Sequence, residues 1–142
     1  MLQFIAIFFT LLSLISCDPG FSVVLSNNSN TTRTVKIVET NRNKVARTDS
    51  IPMANNSKNS FFERGTAGMI PVISKDTTAN TYLFVLEKGK KALIQFGMGG
   101  PDMSQKIVVA NADTISIHKK EPRVKIKRRL LSTSVHINVD QQ

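Results

Sequence analysis

Thr81-Tyr82-Leu83-Phe84-Val85-Leu86-Glu87-Lys88-Gly89-Lys90-Lys91-Ala92-Leu93-Ile94-Gln95-Phe96 sets two apolar runs on either side of a polar break. Each run, Thr81–Leu86 and Ala92–Phe96, has a strand's length and is too short for an ordinary buried helix. Gly89 can take the left-handed backbone that closes such a break, so residues 81–96 read as a β-hairpin.

Working outward, the same pattern recurs. Val135, Ile137 and Val139 alternate with His136, Asn138 and Asp140, as in a strand with one buried face. Phe21–Leu25 and Thr34–Glu39 flank the turn formers Ser26–Asn30 and read as a second hairpin with a longer loop. Met69–Ser74, Lys106–Ala110, Thr114–Ile117 and Arg123–Lys127 are further strand candidates. Residues 40–60 are polar, with Val45, Ile51 and Met53 as isolated apolar positions, and read as a long loop holding at most a short edge strand. No segment repeats apolar residues at helical spacing. The expected fold is all-β: a β-sandwich, immunoglobulin-like or similar, or a small barrel, formed by one domain over residues 21–142.

The composition fits one core. The chain has 142 residues, 41% of them hydrophobic, and a single cysteine, Cys17, which has no internal partner for a disulfide. All the charged side chains follow residue 17, so the formal charge of +9 belongs to the expected domain. Such an excess favours anionic partners: lipid headgroups, acidic polysaccharide or an acidic protein. Nucleic acid is disfavoured, because one Tyr and no Trp leave few stacking platforms.

The first residues carry an address. Met1–Ser16 has no charged side chain, and Phe4–Phe9 and Leu11–Leu14 are almost wholly apolar. The run is shorter than the roughly 20 residues a spanning helix takes and fits a signal peptide. Met1-Leu2-Gln3 lacks Lys and Arg, which leaves room for a start upstream of Met1. Leu14-Ile15-Ser16-Cys17 resembles the lipobox of bacterial lipoproteins. That resemblance implies cleavage after Ser16, diacylglyceryl transfer to the Cys17 sulfur, palmitate-type acyl chains and attachment to a membrane of the bacterial cell envelope. Asp18 resembles an inner-membrane retention signal used in some bacteria. Residues 17–20 form the lipidated N-terminus and a linker of ~10 Å reach, so the domain is expected to sit against the bilayer. The rival reading is a eukaryotic secreted glycoprotein, on the strength of N-x-Ser/Thr acceptors at Asn27, Asn30 and Asn55.

Motifs for catalysis are scarce. His118 and His136 are the only histidines, fewer than the three or four clustered ligands a zinc site uses. There is no Gly-x-Ser-x-Gly, and the acidic residues are spread singly along the chain. Gly97-Met98-Gly99-Gly100-Pro101 offers backbone amides to an anion but lacks a following helix or a Lys-Ser/Thr pair; it reads as an inter-strand loop, with Met98 and Met103 as an adaptable contact surface if exposed. The basic run His118–Arg129 is the strongest local signal. In strand geometry Arg123, Lys125, Lys127 and Arg129 share one face, with Val124 and Ile126 on the other. That row is either an anion-binding patch or a solvated edge guarded against aggregation. The functional expectation is a non-catalytic binding or scaffolding lipoprotein without metal or cofactor, with a small envelope hydrolase as the alternative.

Overall fold

The computed structural model describes residues 19–56, 68–109 and 113–140, leaving out the Arg42 side chain. Residues 1–16, where a signal peptide is expected, lie outside the described residues, as do Cys17 and Asp18. Along the chain run β1 (Gly20–Ser26), β2 (Arg33–Val38), a short helix α1 (Arg42–Arg47), β3 (Ser50–Asn55), β4 (Gly68–Pro71), β5 (Ser74–Asp76), β6 (Thr81–Leu86), β7 (Lys90–Met98), β8 (Lys106–Val109), β9 (Asp113–Ser116), β10 (Val124–Arg129) and β11 (Ser132–Asn138).

The strands form two sheets packed face to face, an all-β sandwich and not a closed barrel. The six-stranded sheet has the order β10-β11-β1-β7-β3-β4, and the five-stranded sheet β5-β6-β2-β8-β9. All neighbours are antiparallel except β1 and β11, which run parallel from Gly20↔Ser132 to Ser26↔Asn138. The inward residues make one core. Val23, Leu25, Ala92, Ile94, Val135 and Ile137 meet Val35, Ile37, Phe84, Leu86, Ile107 and Ile115 across the sandwich. Tyr82 and Phe84 stack within it, ring centroids 6.3 Å apart.

Both expected hairpins are overturned. β1 and β2 belong to opposite sheets, and so do β6 and β7. Gly89 does take the left-handed conformation, φ +67, but the tight turn folds the chain across the core instead of beside itself. The reason is burial: β2 and β6 pair with each other, Arg33↔Leu86 to Val38↔Thr81, and lay their apolar side chains on those of β1 and β7. Met69–Ser74 is likewise not one strand, since the chain leaves β4 in one sheet and enters β5 in the other. The expected loop at 40–60 holds α1, and β3 lies inside its sheet between β7 and β4. With six residues and one core contact, Val45, α1 leaves no helical period to read. It is held by local bonds: Asn41 caps its N-terminus by accepting from the Asn43 amide, and Thr48 Oγ1 donates to Lys44 O at 2.7 Å.

Asn27 knits the two sheet-crossing turns together. It is fully buried. Its Nδ2 donates to Thr31 O and Leu86 O, both at 2.9 Å, and its Oδ1 accepts from the Ser29 amide and hydroxyl. Its backbone exchanges bonds with Lys90 O and Gly89 N, each 2.9 Å. An apolar replacement would strand the buried Leu86 carbonyl without this donor, a cost of about 1–3 kcal/mol. Asn27→Ala is therefore expected to lower unfolding stability by that amount in a urea titration. Asn30→Ala, in the exposed part of the same loop, should stay within about 0.5 kcal/mol of the parent.

Candidate functional site

Two features of the sandwich present chemistry to the outside: a polar cleft at the Gly20 end and the outer face of the six-stranded sheet. A β-bulge contributes a side chain to each. Val23 pairs with Gln95 while Val24 pairs with Leu93, so Ile94 is an extra residue in β7. The bulge reverses the alternation: Gln95 turns inward, 5% exposed, and Phe96 turns outward, 65% exposed.

The cleft, about 530 Å³, opens where β3 parts from β7. The two strands pair only from Met53↔Ala92 to Asn55↔Lys90, and beyond Met53 β3 follows β4. Glu39, Lys44, Gln95 and Asp102 line the cleft together with Phe21, Ile51 and Phe96. A polar relay runs across it. Gln95 clasps the Asp102 backbone, accepting from its amide at 2.9 Å and donating to its carbonyl at 3.2 Å. Gln95 Nε2 also donates to Gln105 Oε1 at 2.6 Å, and Gln105 donates to Glu39 Oε1. Lys44 of α1 reaches the same carboxylate oxygen at 2.7 Å, and the Tyr82 hydroxyl approaches it at 3.5 Å. Burial, reinforced by the Glu39 charge, pushes the Tyr82 phenol far above its ordinary value. Asp102 is held below the usual carboxylate range by donors from Ser104 and Thr40.

This relay ties the β7–β8 loop, the end of β2 and α1 into one unit. Glu39 faces three donors, so it is already engaged in structure. His118 and His136 sit on separate exposed positions, and among the described residues no three of His, Cys, Asp and Glu come together as metal ligands. Gly97 and Met98 belong to β7, so the expected Gly97–Pro101 loop begins only at Gly99, which takes φ +90.

The expected basic row divides. Arg123 lies before β10 and is tied to Glu121 at 2.8 Å and to Asp113. Since Asp113 starts β9 of the five-stranded sheet, this ion pair bridges the two sheets. Lys125, Lys127 and Arg129 are exposed on the outer face of β10. Registers continue each row across the sheet. Arg129 is level with Ser132, Gly20 and Met98; Lys127 with Ser134, Ser22 and Phe96; Lys125 with His136, Val24 and Leu93. The face thus has a basic side at β10, a floor of Gly20 and serines that gives way to His136 and Val24 in the Lys125 row, and an apolar side at β7. Burial, helped by repulsion from Lys127 and Lys91, holds the His136 imidazole below its ordinary value of 6.5. The lower end of the face carries Leu130 and Leu131, 95% and 64% exposed, in the β10–β11 turn. Sequence reading passed over Phe96, Leu130 and Leu131. The available signal was a Leu pair at a turn, where polar residues are the rule; no local pattern announces the bulge.

No protein-family model matches the chain, and no curated protein matches it in sequence.

Gln105→Leu keeps volume but leaves Glu39 short of a donor and Gln95 Nε2 without its side-chain acceptor. It should lower stability by about 1–3 kcal/mol, and an unchanged urea midpoint would show that the relay contributes nothing. His136 gives a pH effect of defined sign. Its folded-state value is depressed, so below the ordinary imidazole value the unfolded chain binds a proton that the folded one resists. Stability from this residue is present above that value and is lost as pH falls through it. His136→Gln should therefore shrink the drop in Tm between about pH 7 and pH 5.

Proposed function

We propose that the chain is a membrane-anchored envelope lipoprotein whose sandwich is a non-catalytic binding or scaffolding module. The observation that supports this best is the position of β1. It begins at Gly20, three residues after the lipobox cysteine Cys17, and occupies the interior of the six-stranded sheet. An acyl group on Cys17 would therefore lie within ~10 Å of the folded domain, holding it against the bilayer of a bacterial envelope. The charge of +9 suits an anionic partner: lipid, acidic polysaccharide or an acidic envelope protein. The engagement of Glu39 by Lys44 and Gln105 favours binding over a hydrolase centred on that cleft. The glycoprotein alternative loses its first acceptor, because the Asn27 side chain is buried and bonded at both ends.

One acyl chain binds a bilayer marginally, and two hold it firmly at roughly 0.8 kcal/mol per buried methylene. Cys17→Ser is expected to abolish incorporation of radiolabelled palmitate and to move the protein from the membrane fraction. Equal labelling of both proteins would refute the anchor.

A further inference from the structure

The outer face of the six-stranded sheet has a composition that neither a solvated face nor an aggregation guard needs. At its Gly20 end a groove of about 470 Å³ is floored by Gly20, Ser22, Ser132 and Ser134 and walled on the β7 side by Phe96 and Met98. Both wall residues are large, apolar and more than half exposed. On the β10 side the same rows end in Lys127 and Arg129, both exposed. Among the described residues that line the groove there is no carboxylate. Beneath it, Leu130 and Leu131 project at the turn, and the Leu131 carbonyl accepts from the Gly20 amide at 3.1 Å. Gly20 is where the chain arrives from Cys17, within ~10 Å. Exposed apolar side chains, a strip of hydroxyls, two cations and the point of attachment thus share one end of the molecule.

We propose that this end is a docking surface for an anionic phospholipid bilayer. Lys127, Arg129 and the serine hydroxyls receive headgroup phosphates, while Leu130, Leu131, Phe96 and Met98 enter the boundary between headgroups and acyl chains. A phosphate is matched by cations and hydroxyl donors, and apolar side chains gain by leaving water at the same depth. Each basic residue near an anionic leaflet adds attraction that salt screens over ~8 Å. The consequence is a fixed orientation. The Gly20 end faces the lipid, and the opposite end, with Asn27 and the Lys88-Gly89 turn, faces away. This inference takes its source of bilayer from the anchor proposed above, and its test separates the two.

The chain has no Trp, so a single Trp reports its own surroundings. The full chain carrying Leu130→Trp, and separately Lys88→Trp, is purified from bacterial membranes, its intact mass is measured, and it is reconstituted into phosphatidylcholine vesicles with or without phosphatidylglycerol. With phosphatidylglycerol present, Leu130→Trp should emit to the blue and be quenched by brominated acyl chains, while Lys88→Trp should emit as in water. Adding Lys127→Gln and Arg129→Gln to Leu130→Trp should remove most of the quenching, as should added salt. Emission at position 130 that is as water-like as at position 88 overturns the docking surface, whether or not the mass includes the lipid. Blue emission that brominated chains do not quench also overturns it, since a second copy or residues 1–16 would then cover the face. Quenching without a lipid mass upholds the surface and refutes the anchor.

Discussion

A strand with one apolar face must place that face against another apolar surface, and here that surface is the opposite sheet. Val23 and Leu25 on β1 illustrate the constraint. They are completely buried, in one core with the apolar side chains of β2, β6, β8 and β9 of the five-stranded sheet. Once each sheet is the other's cover, the connections follow. β1 cannot lie beside β2 and also beneath it, so the chain arches across the core after Ser26 and again after Leu86.

An arch of this kind turns peptide groups toward the interior, where they need partners. Asn27 supplies them. Its amide reproduces, with one side chain, the donor and acceptor pair that a neighbouring strand would offer, and it joins the first arch to the second through Leu86 O and Lys90 O. At the other end Gln95 plays a comparable part with the Asp102 backbone. Each end of the sandwich is therefore closed by a buried carboxamide, and no disulfide is available for that work with a single cysteine in the chain.

The bulge at Ile94 links this scaffold to the outer surface. One extra residue sends Gln95 into the relay that ends at Glu39 and Lys44, and in the same stroke sends Phe96 outward next to Met98. The parallel pairing of β1 with β11 then brings the C-terminal strand, and with it β10, alongside the N-terminal one. That pairing sets Lys127 and Arg129 across a serine floor from Phe96 and Met98, at the end where the chain arrives from Cys17. The cation row and the apolar wall are far apart in the chain and meet only through sheet order.

The sequence by itself determined the class of fold and the positions of most strands, because alternation at a period of two is a local property: Val135-His136-Ile137 and Val35-Lys36-Ile37 declare their buried faces without reference to any partner. It also placed Lys125, Lys127 and Arg129 on one exposed face. Only the tertiary structure decided which strands pair. A tight turn such as Glu87–Lys90 serves a hairpin and an arch equally well, and the choice rests on the burial available to β6 and β7 across the core. Tertiary contacts alone likewise drew Arg123 out of the basic row to Asp113 of the other sheet and inserted the bulge that reverses Gln95 and Phe96. In each case the deciding partner is distant in the chain, so its effect leaves no local pattern to read.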